Sequence, residues 1–491
     1  MTEAPARPAQ ATPAQATTEA ETLGQEIARF AVSAARDSIP AAVTASAKQR
    51  ILDVLGLCVA AHRLDTSAAI VAYVADQGGH AQASAVGVPD RVTAAQAALV
   101  NGVLAHSLDY DDTHLPSVLH PSASVVPATL AAAEHAGADG ALAVRAAAVG
   151  IEVAVRLGMA GYDHELGNSV FFEHGQHATS ITGAMGSAVA ASLAYGADEQ
   201  GVLDALGIAA SMAAGIIEAN RTGGTVKRLH CGFAAQAGVS AAQLVRHGFT
   251  GPPTVIEGRF GFLEAWLHGS RPNLDAVTEG LGTSWAVPDI FFKPYPANHF
   301  THTSVDAGLA LRARGVRPED VASITIGAPT AVIRTIGAPL ETKRAPQTGY
   351  QAQFSGPYAV VAGLLGGGGL GTGLDDYTDA LAQDPVRRAL MAKVDVVPDA
   401  RCDAIYPHQF PAVVTVTTTS GETLVEEVLT NRGGPARPLT GDELARKFRD
   451  NVEGRLDEDA ANRVRALVET LDEQPAVASV LQPLTALTFS S

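Results

Sequence analysis

Residues 412–429 have the sequence AVVTVTTTSGETLVEEVL, a run dense in Val and Thr that a Ser-Gly pair interrupts. β-branched residues on both sides of such a pair are typical of two strands joined in a hairpin. The stretch VASITIGA at 321–328 has a similar composition and predicts another strand. These segments decide the fold class, because the chain on both sides of them has helical spacing.

From about residue 23 to residue 267 the sequence is rich in Ala, with apolar positions three and four apart. Helical spacing returns at 437–452 and 457–471, where Thr440 and Asp442 are candidate caps. We therefore predict a mainly α protein with an inserted α+β domain. The predicted division is a disordered tail at 1–22, a helical domain at 23–270, an α+β domain at 271–432 and C-terminal helices at 433–491.

The composition of the chain limits the classes of partner that it could bind. A net charge of -17 argues against a nucleic-acid partner, and an anion site in such a protein needs its own local cations. The longest apolar stretches are too short and too rich in Ala and Gly to predict a membrane span. Three widely separated cysteines fit no disulfide or Cys-based metal pattern, and we predict a cytoplasmic protein.

Ionisable residues are concentrated in HSLDYDDTHLPSVLHPS at 106–122. Thr93 and Gln96 form a capping-box pattern, so a helix should begin there and end near His106. The carbonyl end of a helix disfavours negative charge, and the aspartates that follow therefore need cationic partners. Two alternatives remain open for this segment. Its carboxylates and imidazoles could bind a metal, although no known spacing fits, or its aspartates could simply cap the next helix. The candidate metal ligands are Asp109, Asp111, Asp112, His114 and His120.

Three further segments place charged or imidazole groups among small residues: EHGQHATSITGAMG at 173–186, RTGGTVKRLHCG at 221–232 and FFKPYPANHFTH at 291–302. Lysine is scarce in this chain, yet Lys227 and Lys293 lie in two of these segments. A structural explanation exists for each one, namely close helix packing, a solvated basic turn and a rigid linker. Taken together, they favour proton abstraction next to a carboxylate, because lysines can hold carboxylates while imidazoles move protons.

The order of seven segments resembles the MmgE/PrpD family, which includes 2-methylcitrate dehydratase, cis-aconitate decarboxylase and iminodisuccinate epimerase. These segments are 101–114, 120–133, 227–238, 248–262, 293–302, 350–361 and 441–448. The resemblance covers nearly all of the chain after residue 22. It implies a large helical domain built from both chain ends, a smaller α+β lid between them, a homodimer, and no metal or organic cofactor.

The resemblance also implies the roles of individual residues. His120 of the HPS segment is the leading candidate for proton transfer, and Lys227 and Lys293 would bind a carboxylate or donate a proton. Asp109 would orient and charge-balance a neighbour, and His177 is a further catalytic candidate. Thr113, Tyr358 and His230 are the candidates for substrate binding. Asn298 departs from the family, since many relatives have cysteine there.

The function that follows from this resemblance is a carbon–oxygen lyase, or hydro-lyase, which dehydrates a small di- or tricarboxylate. Decarboxylation of a cis-aconitate-type acid and epimerisation of an iminodisuccinate-like acid are alternatives, because all three reactions need a carbanionic intermediate. A non-catalytic carboxylate-binding protein is an alternative from another class. The expected partner in each case is a small anionic carboxylate.

Overall fold

The structure is a computed structural model that describes residues 21–219 and 223–487. The predicted tail at 1–22 therefore lies outside the described residues except for its last two. Thr22 belongs to the folded part, because its hydroxyl accepts the Gln25 N–H and caps the first helix. Within the described ranges, the fold is mainly α with a small α+β part, as the sequence predicts.

The first part of the chain is helical. Its helices are α1 (Leu23–Arg36), α2 (Ala41–Ala61), α3 (Asp65–Gln77), α4 (Ala94–His106), α5 (Ser122–Ala136), α6 (Gly140–Ala160), α7 (Val170–Glu173), α8 (Ala178–Ala194), α9 (Glu199–Ala210), α10 (His230–Arg246), α11 (Phe262–Leu267) and α12 (Asp275–Thr278). Two short strands, β1 (Tyr162–Asp163) and β2 (Asn168–Ser169), pair between α6 and α7.

Small residues let the central helices approach closely. A Cβ added at Gly186 of α8 would lie 2.3 Å from the carbonyl oxygen of Gly150 in α6. Side chains at both positions would force the two helices apart. This contact fixes α8, and with it His177, which immediately precedes the helix.

The second part contains the sheet. Its strands are β3 (Val321–Ala328), β4 (Val394–Pro398), β5 (Ala412–Thr418) and β6 (Thr423–Val428), in the order β4-β3-β5-β6. β3 runs parallel to β4 and antiparallel to β5. The helices of this part are α13 (His302–Ala313), α14 (Thr330–Ile336), α15 (Leu340–Arg344), α16 (Gly349–Ala352), α17 (Gly356–Leu365), α18 (Asp379–Ala382), α19 (Pro385–Met391) and α20 (Ala400–Asp403).

The C-terminal helices are α21 (Gly441–Val452), α22 (Glu458–Glu469) and α23 (Ala478–Leu481). Phe448 and Val464 belong to the same apolar core as α1–α10, whereas the sheet packs in a separate core formed mainly by residues 291–428. Leu115, from the acidic segment, packs in this second core. The acidic segment therefore lies where the two cores meet. The predicted boundaries at 270 and 432 stay predictions.

Across residues 21–219 and 223–487, no single helix has both the length and the apolar character needed to cross a membrane. One pair, α2 with α3, passes the test of length and composition together, with a bend of 96° between the two helices.

Candidate active site

A cavity of about 1070 Å³ opens between the two cores. From the helical side it is lined by residues that include Thr113, His120, Phe172, His177 and Lys227. From the side of the α+β domain it is lined by residues that include His299, Arg334, Lys343, Tyr350 and Phe354. Four of the eight predicted site residues, Thr113, His120, His177 and Lys227, thus face one space.

Asp109 lies behind this cavity wall, in the loop after α4. The loop begins there because the Thr93 and Gln96 capping box starts α4 as the sequence predicts, and the helix ends at His106. The backbone of Asp109 has a φ of 51°, a left-handed conformation that Asp tolerates better than most residues. Lys293 is buried and donates from Nζ both to Oδ1 and to the main-chain oxygen of Asp109, each at 2.8 Å.

Lys227 approaches the same carboxylate from the cavity, with its Nζ 3.8 Å from Asp109 Oδ2. Burial alone would raise the pKa of Asp109, but Lys227 and Lys293 outweigh it and hold this pKa well below the usual value. Burial would lower the pKa of Lys227, yet Asp109 together with Tyr350 and Asp111 outweighs it and the pKa is raised. One carboxylate thus faces two lysines, and Lys227 presents the surplus positive charge to the cavity.

His120 is oriented by the main chain. Its Nδ1 lies 2.5 Å from the carbonyl oxygen of Asp112, so Nδ1 carries the proton and Nε2 is the free basic nitrogen. The Thr113 hydroxyl oxygen is 3.3 Å from the same Nδ1. Burial lowers the pKa of His120 to about 4, against a smaller opposing effect of Asp111. The imidazole is therefore neutral at pH 7 and able to accept a proton.

His177 and His230 form a second imidazole unit, with their Nδ1 atoms 2.8 Å apart. One nitrogen donates and the other accepts, which requires at least one neutral ring. Burial lowers the pKa of both rings, that of His230 to about 4. His230 does not line the cavity but orients His177, which does.

The chain also matches known protein-domain families over most of its length. The MmgE/PrpD N-terminal domain model matches residues 25–275, and the MmgE/PrpD C-terminal domain model matches residues 295–473. The chain belongs to the MmgE/PrpD family.

Individual relatives carry two enzyme names. The chain is 30% identical to cis-aconitate decarboxylase of Mus musculus over 440 residues, 87% of this chain and 86% of the relative. It is 30% identical to cis-aconitate decarboxylase of Homo sapiens over 453 residues, 87% of each. It is 27% identical to mitochondrial 2-methylcitrate dehydratase of Yarrowia lipolytica over 248 residues, 48% of this chain and 45% of the relative.

Tyr358, a predicted substrate-binding residue, does not line the cavity of this MmgE/PrpD protein. Tyr358 is buried in the core of the α+β domain, where its hydroxyl donates to the main-chain oxygen of Asp376. Helix α17 directs the Tyr358 side chain into that core and away from the cavity lining, and its predicted role in substrate binding stays a prediction. Tyr350, from the same sequence segment, lines the cavity instead, and the Arg228 guanidinium lies 5.5 Å from its ring centre.

Two further cations line the cavity from the α+β part of this family member, and the sequence analysis does not predict them. Arg334 lies in α14 and Lys343 in α15. Arg334 pairs at 3.0 Å with Glu173 of the helical domain, and Lys343 donates to the Phe354 main-chain oxygen at 2.9 Å. The scarcity of lysine was a usable sequence signal for Lys343. No local pattern marked Arg334.

A metal alternative can be tested on the geometry. Within the described ranges, His106, Asp111 and Cys231 form a group whose potential ligand atoms lie within 4.8 Å of one another. His106 Nδ1 is already hydrogen-bonded to Asp111 Oδ2 at 2.7 Å, and burial raises the pKa of the Cys231 thiol. A metal here would have to displace both the His106–Asp111 hydrogen bond and the thiol proton, so these residues are not prearranged as a ligand set.

Proposed function

We propose that this protein is a lyase that acts on a small di- or tricarboxylate without an organic cofactor. One observation carries the proposal: Asp109 with Lys227 and Lys293 gives a surplus cation next to the neutral His120. A fixed cation stabilises the charge that develops on a substrate carboxylate when a neighbouring carbon becomes carbanionic. The imidazole moves the proton that the same reaction gains or loses.

Decarboxylation of a cis-aconitate-type acid is the first candidate, because relatives named for it align over 87% of this chain. In that reaction the bond between a methylene carbon and its carboxylate breaks, and carbon dioxide leaves. The electron pair forms a new double bond, while the pair of the old double bond moves onto the neighbouring carboxylate as an enediolate. Lys227 would neutralise that enediolate, and a proton would then be added to its α-carbon.

Dehydration of a 2-methylcitrate-type acid is the second candidate, and the state of His120 favours it specifically. Because Nδ1 of His120 donates to the Asp112 carbonyl, the free Nε2 is a base suited to removing an α-proton. Lys227 would again neutralise the enediolate, and the hydroxide would leave as water after protonation. This candidate has the shorter match among named relatives, at 48% of the chain.

An NMR assay of purified protein in deuterium oxide separates these reactions. The substrates are cis-aconitate, 2-methylcitrate and citrate, and the variant is Lys227→Met. Lys48→Ala is the matched control, because Lys48 pairs with Asp472 at 2.8 Å and does not line the cavity. Carbon dioxide release would identify decarboxylation, and loss of the hydroxyl-bearing carbon signal would identify dehydration. Activity should be lost in Lys227→Met and retained in Lys48→Ala.

Other outcomes point to the remaining hypotheses. Exchange of an α-proton for deuterium without bond cleavage would favour an epimerase. Thermal stabilisation by these acids without turnover would favour a carboxylate-binding protein. Equal turnover in wild type and Lys227→Met would refute the proposed site. The predicted homodimer and cytoplasmic location stay predictions, and light scattering on the eluting peak tests the former.

A further inference from the structure

His106, the last residue of α4, was not among the predicted site residues. It is buried, and its Nδ1 lies 2.7 Å from Asp111 Oδ2. Among residues 21–219 and 223–487, neither His106 Nε2 nor Asp111 Oδ1 has a hydrogen-bond partner, although both atoms are buried. A buried polar atom without a partner is costly, so its retention calls for an explanation.

The position of the His106 ring suggests that explanation. Its centre lies 5.4 Å from that of His120 and 5.6 Å from that of His177, the two imidazoles that line the cavity. His106 itself does not line the cavity. It therefore contacts both cavity imidazoles from the protein side, with a free basic nitrogen.

We propose that His106 and Asp111 form a dyad that holds a proton and exchanges it with the substrate cavity through His120 or His177. The part of this proposal that concerns turnover rests on the proposed lyase function. His106 acts through another residue, and it is therefore a positioning residue.

The chemistry of the dyad differs from that of the other imidazoles in the cluster. A carboxylate that accepts Nδ1–H fixes the tautomer and stabilises the imidazolium that forms when Nε2 gains a proton. In that place His120 has a main-chain carbonyl and a hydroxyl, and His177 has another imidazole. Burial would raise the pKa of Asp111, but His106, His120 and Lys293 outweigh it and lower this pKa, so that the carboxylate is ionised.

The surroundings supply few competing charges. The titratable groups that interact with His106 from the packed elements include Asp111, His120, His177 and His230, and the Cys231 thiol lies within 4.8 Å of the His106–Asp111 pair. Lys227 is paired with Asp109, and burial raises the pKa of Cys231 well above its usual value. Asp111 is therefore the carboxylate in direct contact with an imidazole of this cluster.

The test uses Asp111→Asn, with His114→Asn as the matched control. His114 lies in the same loop and its Nδ1 is 2.6 Å from the Ser117 hydroxyl, but it does not line the cavity. An amide in place of the carboxylate keeps the size of the side chain while removing its charge. We expect kcat of Asp111→Asn to fall about 100-fold or more, with KM within about threefold. The acid limb of its pH profile should also shift.

A second readout does not depend on turnover. Histidine-selective ¹⁵N NMR of the whole protein should show His106 protonated at Nδ1 at neutral pH. The Asp111→Asn variant should lose this preference for the Nδ1-protonated tautomer, whereas His114→Asn should keep it.

The outcomes separate the two proposals. If NMR shows the Nδ1-protonated tautomer of His106 and wild type converts no acid, the dyad stands and the lyase function falls. If wild type is active and Asp111→Asn keeps its kcat and pH profile, the dyad is refuted. The dyad is also refuted if Asp111→Asn loses kcat together with a rise in KM and His114→Asn shows the same loss. That result would mean that Asp111 has only a structural role.

Discussion

Replacing Lys293 with methionine removes the cation that holds Asp109, and we expect both stability and turnover to fall. The change breaks two hydrogen bonds of 2.8 Å and leaves a buried carboxylate. Breaking a buried ion pair costs about 3–5 kcal/mol. Lys227 remains 3.8 Å from the carboxylate, an attraction of about 4 kcal/mol at an effective dielectric constant of about 20. The free energy of unfolding of Lys293→Met should therefore fall by about 3 kcal/mol, the lower end of the range for a broken buried ion pair.

Lys447→Met is the matched control for this change. Lys447 is also buried and pairs at 2.8 Å with Asp53, but its partner, unlike Asp109, makes no ion pair with Lys227 in the described part of the chain. Urea unfolding should show a similar loss for both variants, about 3 kcal/mol or more. In the NMR assay, activity per folded molecule should fall about 100-fold or more for Lys293→Met, because Asp109 then pulls Lys227 out of position. For Lys447→Met it should stay within about threefold.

Two results would refute the reasoning. Equal loss of activity per folded molecule in both variants would mean that Lys293 acts through stability alone. A change in unfolding free energy below about 1 kcal/mol for Lys293→Met would mean that Asp109 is not the buried, ionised partner that the geometry describes.

Three further predictions follow from other parts of the molecule. Burial lowers the pKa of His114 and of His120 to about 4, so between pH 6.5 and 4 the unfolded chain binds protons that the folded chain does not. The stability that each neutral ring contributes is therefore fully present above pH 6.5 and is lost as the pH falls. Between pH 7 and pH 5 the free energy of unfolding should fall by about 2 kcal/mol for each ring. Urea unfolding of wild type and His114→Gln at both pH values measures this change. The half-exposed pair Arg334–Glu173 joins the α+β part to the helical part. Arg334→Gln should raise KM and Glu173→Gln should lower it, while both unfolding free energies stay within about 1 kcal/mol of wild type. KM changes of the same sign in the two variants would contradict this prediction. The three cysteines, Cys58, Cys231 and Cys402, are free and buried. A thiol reagent should therefore label none of them in the native protein and all three after denaturation. Rapid labelling of the native protein would contradict their burial.

The sequence predicts those elements that short-range patterns encode. The hairpin pattern at 412–429 becomes β5 and β6, and Gly421 between them has a φ of 88°. VASITIGA becomes β3 at the predicted residues. β4 was missed, and the parallel pairing of Ile324 with Val394 could not be foreseen, because contacts between residues so far apart leave no local pattern.

For the aspartates after α4, arguments from charge predict the ion-pair partners of some residues but not of all. A helix C-terminus disfavours carboxylates, which predicted histidine or lysine partners for them. Asp109 pairs with Lys293, and Asp111 pairs with His106. Asp112 instead pairs with Arg50 of α2, a residue that no pattern in the loop could indicate.

The choice between Tyr350 and Tyr358 marks the limit of reasoning from motifs. Both tyrosines belong to one short segment, and the family resemblance pointed to Tyr358. Ser355 caps α17 by accepting the Tyr358 N–H, which places Tyr358 in the first turn of a helix buried in the lid. Tyr350 precedes that helix in α16 and stays at the cavity. The position of a cap, and not the residue type, decides which side chain faces the cavity.

The charge of the cavity also accounts for an apparent conflict. A protein with a net charge of -17 repels anions, yet the proposed substrate is a carboxylate. Asp109 has a pKa well below its usual value and Lys227 has a raised one, so neither group titrates near neutral pH. The surplus positive charge is therefore constant over the pH range in which the surrounding imidazoles could exchange protons. Under the proposed function, carboxylate binding and proton transfer therefore fall to different groups, and we expect the pH dependence of turnover to come from the histidines.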